Sequence, residues 1–294
     1  MSERRYDALL LDLDGTLLAN DGELRAANVD ALRRAEAAGV QVVVVTGRSC
    51  ISARPVIEQL GLQSPTFVFN GAALWCPREE RLIEERILSN RTVEQGLAFA
   101  EREDLLTVAM CAGSKFALDP RDDSERAALA YMHGLQFVPR SELHVEHTIR
   151  LTYFSDKHGL PEDFARNVRA AIEGPVYLTA FPLSLLPHLR ASQLAVADVH
   201  PPCRGKAEAL RWLSEEHGIP VQRVVAVGDA SNDVPMLQEA GLGVAMEVSM
   251  SEALEVADRV IGSCDSDAIA ELVEELFLST SSNPRRPSRQ SEPA

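Results

Sequence analysis

At 294 residues, 46% apolar and 25% charged, the chain can build one large globular domain or two modest ones. It holds 44 acidic against 29 basic residues, a formal net charge of −15. That surface excludes nucleic acid and anionic membrane as partners, because polyanion binding needs clustered Lys and Arg, but it permits a small anionic substrate at a site where a metal or base reverses the field.

In chain order, Met-Ser-Glu-Arg-Arg leads directly into the apolar run Ala8 to Leu11, which stops at Asp12. No signal-peptide apolar stretch precedes it, and no apolar run nears the roughly 20 residues that span a bilayer, so a cytoplasmic protein is expected. Arg25 to Ala38 reads as a helix with Gly39 as its C-terminal cap. Val40 to Val45 is apolar on both faces, the pattern of a strand buried in a parallel sheet. It ends at Thr46-Gly-Arg48. A second helix ends at Gly61, and a third strand, Thr66 to Phe69, stops at Asn70-Gly-Ala72.

The same alternation returns late in the chain. Lys206 to His217 reads as a helix capped by Gly218, Val224 to Val227 as a strand halting at Gly228-Asp229, Asp233 to Ala240 as a helix, and Leu242 to Ala245 as an apolar strand. Strands alternating with helices predict an α/β fold with a doubly wound parallel sheet. Asp12, Thr46, Asn70 and Asp229 all fall just past strand C-terminal ends, where such sheets hold ligands.

The middle reads differently. Helical stretches at Thr92 to Glu103 and Pro161 to Ile172 alternate with strand candidates at Leu105 to Met110, Thr148 to Phe154 and Val176 to Ala180. This predicts an inserted α+β cap domain over 77–192, interrupting a discontinuous core of 1–76 and 193–278. The Ser/Pro/Arg-rich residues 279–294 are expected to be disordered. Five scattered cysteines without a Cys-x-x-Cys pair suggest buried thiols rather than disulfides or a zinc site.

The polar clusters carry the chemistry. In the turn Asp12-Leu-Asp14-Gly-Thr16, carboxylates two residues apart can converge on one group, one attacking phosphorus and the other handling a proton. Asp229 and Asp233 are hard oxygen donors suited to magnesium. Brought beside Asp12 and Asp14 they would repel one another unless a cation intervened. Lys206 could neutralise a transferring phosphoryl group, and Thr46 could donate its hydroxyl to a phosphate oxygen. Each has a plainer reading when taken alone: a turn, a helix cap, an exposed helix lysine. His144-Val-Glu146-His147 lacks the i, i+4 spacing of a helical zinc site and reads as an ordinary polar segment.

Taken together, four segments resemble the haloacid dehalogenase superfamily: Asp12-Leu-Asp-Gly-Thr-Leu-Leu18, Val43-Val-Val-Thr-Gly-Arg48, Lys206-Ala-Glu-Ala-Leu210 and Gly228-Asp-Ala-Ser-Asn-Asp-Val-Pro-Met-Leu237. The wording is most similar to its Cof-type (subfamily IIB) phosphatases. In the third segment the glycine precedes the lysine, as Gly205, and Ala207 follows it. The resemblance implies a magnesium-dependent phosphatase hydrolysing a small phosphomonoester, such as a sugar phosphate, through an aspartyl-phosphate on Asp12. Asp14 would be the general acid/base, and Thr46, Gly47, Lys206 and Asn232 would hold the phosphoryl group. Asp229, the Asp12 carboxylate and the Asp14 backbone carbonyl would form the metal site, with Asn232 and Asp233 supporting them, and Arg48 and Asn70 would line the pocket. A phosphomutase of the same superfamily, needing a bisphosphate activator, is the alternative; a non-catalytic metabolite-binding protein stands behind it.

Overall fold

The computed structural model describes residues 4–130, 132–186 and 189–279. The first part of the chain forms β1 (Ala8–Leu11), α1 (Ala26–Ala37), β2 (Gln41–Val44), α2 (Cys50–Leu60) and the short strands β3 (Thr66–Val68), β4 (Ala73–Cys76) and β5 (Arg81–Glu85). The middle forms α3 (Asn90–Arg102), β6 (Leu106–Met110), β7 (Lys115–Ala117), α4 (Asp123–Ala130), β8 (Leu135–Phe137), β9 (Arg150–Ser155), α5 (Pro161–Ala171), β10 (Tyr177–Pro182) and β11 (Ala195–His200). The last part forms α6 (Glu208–His217), β12 (Val224–Gly228), α7 (Val234–Glu239), β13 (Leu242–Met246), α8 (Ser251–Val256), β14 (Arg259–Ile261) and α9 (Ala268–Val273).

A five-stranded, wholly parallel sheet in the order β14-β13-β12-β1-β2 is the centre of the core. Its strands are apolar on both faces because both are covered. Leu9, Leu11, Val42, Val44, Val225 and Val227 pack with Leu32 and Ala35 of α1 and Ile269 and Leu272 of α9. The alternate residues Ala8, Leu10, Val43, Val224 and Ala226 pack with Leu210 and Leu213 of α6 and Met236 and Leu237 of α7. Each fully buried leucine contributes roughly 1.5–3 kcal/mol, so truncating Leu10 to alanine would cost about 2–5 kcal/mol. The register sets Leu11 level with both Val44 and Val227, so the neighbouring strands β12, β1 and β2 end flush. That alignment brings Asp12, Thr46 and Asp229 to one edge despite their separation in sequence.

The expected third parallel strand is instead β3 of an antiparallel three-stranded sheet, β3-β4-β5, touching β2 through a single parallel bridge, Val45 to Phe67. Its tight return to β4 through the left-handed Phe69 and Asn70 (φ 53° each) lets hairpin pairing prevail over extension of the parallel sheet.

The second large sheet has the order β10-β11-β9-β6-β7-β8, antiparallel except for β7 with β8. One face packs on α3 and α5 through Leu151, Tyr153, Ala197 and Val199 against Phe99, Ala100, Phe164 and Val168. The expected limits of the insertion do not match the sheet limits. β11 lies beyond residue 192 yet pairs with β10 and β9, and the boundary at 76/77 cuts the β4–β5 hairpin. The short strands β7 and β8 had no periodic signature, since three residues are too few to show alternation, and the eight residues of α4 span little more than two helical turns.

Smaller shifts also appear. The first helix ends one residue before Ala38, which caps it ahead of Gly39 (φ 83°), and Lys206 lies in a 3-10 turn, Gly205–Ala207, preceding α6. Among the cysteines only Cys76 and Cys264 are buried; Cys50, Cys111 and Cys203 are half-buried, and all five are free thiols. The tail expected to be disordered lies, beyond Ser279, outside the described residues. No helix among the described residues is long and apolar enough to cross a membrane.

Candidate active site

The edge where β1, β2 and β12 end gathers the carboxylates. Asp12 follows β1 directly, its N–H donating to the Val227 carbonyl (3.1 Å), and its side chain is 4% exposed. Asp229 follows β12, and Asp233 ends the 3-10 turn Ser231–Asp233. One oxygen from each of Asp12, Asp229 and Asp233 lies within 4.8 Å of the others, the only such carboxylate, His or Cys group among the described residues.

Lys206 enters this cluster from the turn before α6, which packs against the turn that carries Asp233. Its Nζ lies 2.7 Å from Asp12 Oδ1 and 2.6 Å from Asp233 Oδ1. Burial works against the ammonium, yet Asp12 and Asp233 outweigh it and lift the Lys206 pKa above the usual lysine range. The displaced glycine does not misdirect the lysine. Gly205 adopts φ 62°, and a β-carbon on it would lie 2.5 Å from the Tyr177 hydroxyl, so the turn requires glycine at this position.

Asp233 is fully engaged. Its Oδ2 accepts from the backbone N–H groups of Asp229 and Ala230, both at 3.0 Å, while its Oδ1 takes Lys206. Asp229 accepts from the Thr16 hydroxyl (3.1 Å) and stands against Gly15, where a β-carbon would lie 2.4 Å from Oδ2. Gly15 (φ 79°) therefore serves both the turn and the close approach.

The electrostatics of the cluster match a cation site. Burial lifts Asp12 well above the carboxylate range; Lys206 pulls it down, and Asp233, Asp229 and Asp14 push it up again. Asp229 is pushed up to about 7 by burial and Asp233, against the opposing pull of Lys206 and Thr16. One lysine cannot neutralise two buried carboxylates and a half-buried third. A hard divalent cation fits this all-oxygen donor set and would relieve the repulsion.

Asp14 departs from the group. It is exposed, and Arg48 clamps it bidentately, Nε to Oδ2 at 2.8 Å and Nη2 to Oδ1 at 2.6 Å. Its carboxylate is thus outside the three-carboxylate set, contrary to the expectation that four carboxylates would cluster; the metal ligand expected from Asp14 is its backbone carbonyl. The Arg48 fork, a planar match for a carboxylate, outcompetes the crowded anionic interior.

Thr46 is wholly buried at the end of β2, and its hydroxyl oxygen accepts from the Arg48 N–H (3.1 Å). Asn70, buried with φ 53°, accepts from the Asn232 amide (2.9 Å), and its Oδ1 lies 3.1 Å from where a Gly47 β-carbon would stand. Thr46, Gly47, Asn70 and Asn232 therefore form one connected wall. His144 and His147 are not part of this cluster; His147 Nδ1 lies 3.9 Å from Glu85.

Sequence reasoning missed the contribution of the second sheet. Arg150 of β9 donates to the Gly47 carbonyl (2.7 Å), Lys115 of β7 donates to the Ser52 hydroxyl (2.7 Å), and His200 of β11 lies 3.5 Å from Asn70. Alternation in β9 and β11 was the available signal: Arg150-x-Thr152 and Asp198-x-His200 each project polar residues from a strand whose other face is apolar. Thr16 had no signal beyond its place in the first motif.

A doubly wound sheet with a carboxylate–lysine cluster at its C-terminal edge and a second α+β unit over it defines the hydrolase class to which this chain belongs. A family model for haloacid dehalogenase-like hydrolases matches residues 9–273, and the chain is a member of that family. It is 27% identical over 276 residues to the 5-amino-6-(5-phospho-D-ribitylamino)uracil phosphatase YitU of Bacillus subtilis, covering 92% of this chain and 97% of the relative. In fold it is similar to BT1666 from Bacteroides thetaiotaomicron, a phosphatase of the same superfamily (TM-score 0.77, 22% identity, 95% and 97% of the two chains covered). It is likewise similar to the subclass IIB sugar phosphatase BT4131 (TM-score 0.75, 22% identity, 92% and 98% covered).

Proposed function

We propose that this chain is a magnesium-dependent phosphatase that hydrolyses a small phosphomonoester, such as a sugar phosphate, through an aspartyl-phosphate on Asp12. The observation that carries this reading is the buried Asp12 carboxylate, held by Lys206 at 2.7 Å and grouped with Asp229 and Asp233. The kinship with phosphatases acting on small phosphorylated metabolites supports it.

An Asp12 oxygen attacks phosphorus as the bond to the ester oxygen breaks, and Asp14, having taken up a proton from water, gives it to that departing oxygen. Asp14 leaves the Arg48 fork to reach it. Water then attacks the aspartyl-phosphate, Asp14 takes back a proton, and inorganic phosphate leaves with Asp12 restored. Lys206, Thr46 and the wall of Gly47, Asn70 and Asn232 bind and orient the phosphoryl oxygens, whose charge is spread in the loose transition state. Asp12 and Asp229 would hold the magnesium, with Asp233 fixing both Asp229 and Lys206. Bound there, magnesium supplies charge neutralisation for the carboxylates and the phosphoryl oxygens.

The test is phosphate release from a panel of sugar phosphates and an aryl phosphate, with magnesium, with EDTA, and with Asp12→Asn. Magnesium-dependent release that Asp12→Asn abolishes is the expected result. No release from any compound, by folded protein that binds magnesium, overturns it; activity that requires a sugar bisphosphate would instead identify a mutase.

A further inference from the structure

The second sheet turns a mixed face toward the core, with polar residues set among the apolar Val108, Met110, Phe154 and Val196. On β9, Arg150 and Thr152 project from the side opposite Leu151 and Tyr153, which pack on the helices. On β11, Asp198 and His200 do the same opposite Ala197 and Val199. Lys115 of β7 joins them, reaching Ser52 of α2 in the core. Arg150 donates to the Gly47 carbonyl at 2.7 Å, His200 lies 3.5 Å from Asn70, and Arg48 bears on Lys115 through its charge.

The charges there do not balance. Arg48 is matched by Asp14. Arg150, 8% exposed, has Asp198 at 3.7 Å, but Asp198 also takes the Thr152 hydroxyl (2.5 Å). Lys115, 2% exposed, has two neutral acceptors, the Ser52 hydroxyl and the His133 carbonyl (2.9 Å), and no carboxylate of the described residues within 4.0 Å. Burial, Arg150 and Arg48 together depress Lys115 to about 8, so the three cations share one field.

Donors are left over as well. Arg150 Nε is buried without an acceptor among the described residues, as is His200 Nδ1. Lys115 has three N–H bonds and two acceptors. A buried excess of positive charge with unused donors is costly unless an anion completes it.

We propose that Lys115 and Arg150, with Arg48, form a second anion subsite that binds a carboxylate or second phosphoryl group on the leaving part of the substrate. The inference rests on the phosphatase reading above and narrows its substrates to phosphomonoesters with a second negative group. The nearness of Arg150 to Gly47, next to Thr46, sets the spacing to a short one.

The experiment is calorimetric binding of three non-hydrolysable phosphonates of equal chain length, with magnesium: an alkylphosphonate, a carboxyalkylphosphonate and a bisphosphonate. At least one dianionic probe should bind roughly tenfold tighter than the alkyl one, the contribution of one added charge-assisted hydrogen bond. The tighter of the two names the group. Lys115→Gln and Arg150→Gln should each cut that gap to roughly threefold or less, while Lys115→Arg should retain it. Ser52→Ala removes the contact between Lys115 and the core without touching the charge, and should also retain it. Equal binding of all three probes, or a gap that survives both glutamine variants in folded protein, overturns the subsite. So does a gap lost equally in Ser52→Ala, which would make Lys115 a strut. Binding needs no turnover: discrimination without phosphate release from any ester would keep the subsite and remove the hydrolytic reading, and aryl phosphate hydrolysis without discrimination would do the reverse.

Discussion

Lys206 and Asp233 are buried against each other, Nζ to Oδ1 at 2.6 Å, with neither side chain more than 1% exposed. The other Asp233 oxygen holds the N–H groups of Asp229 and Ala230, so a single carboxylate aligns the lysine with the Asp229 turn. Asp233→Ala should therefore destabilise the protein by about 3–5 kcal/mol, the cost of stranding a buried charge, read from urea unfolding. Asp233→Asn should fold better yet lose roughly 100-fold in kcat, because Lys206 loses one of the two carboxylates that direct it.

Gly15→Ala tests the contact between the first and fourth motifs. The added β-carbon meets Asp229 Oδ2 at 2.4 Å, and φ 79° is strained for alanine. Stability should fall by about 1–3 kcal/mol. Magnesium affinity, followed by titration calorimetry, should fall as well, because Asp229 is the residue displaced. Unchanged magnesium binding would show that Asp229 is not a ligand.

Asp14 should matter in proportion to how badly the leaving group needs a proton. Asp14→Asn should slow single-turnover phosphorylation of Asp12 by an alkyl phosphate by roughly 10²–10⁴-fold, and by an aryl phosphate much less, since an aryl oxide departs unaided. Equal losses for the two esters would assign Asp14 to positioning alone.

The second anion subsite should be pH-dependent through Lys115. The groups facing it are Arg48, Arg150, the Ser52 hydroxyl and the His133 carbonyl, and arginine stays charged throughout the accessible range. Lys115 is an ammonium below about 8 and a neutral amine above it. The affinity ratio of dianionic to alkyl phosphonate should therefore hold at pH 7 and decline as pH rises through about 8. In Lys115→Arg the ratio should persist to pH 10. Taking a ratio cancels the titration of the carboxylate cluster, which both probes share.

The sequence by itself determined the parallel core and the list of its polar residues. Runs such as Val42 to Val45, buried on both faces, read as strands of a covered parallel sheet because hydrophobic burial is local to the strand and its period is visible in a few residues. Residues just beyond those strands read as a site because parallel strands share one C-terminal edge. What only the tertiary structure decided was pairing. The antiparallel course of β3, the membership of β11 in the second sheet and the clamp of Arg48 on Asp14 each depend on competition between partners distant in sequence. So does the meeting of Lys115 and Arg150 with the core: a lysine in a three-residue strand looks like any exposed lysine until the sheet that carries it is laid over Ser52 and Gly47. Composition and periodicity record which side chains avoid water. Which charges then face one another is set by the packing of whole elements.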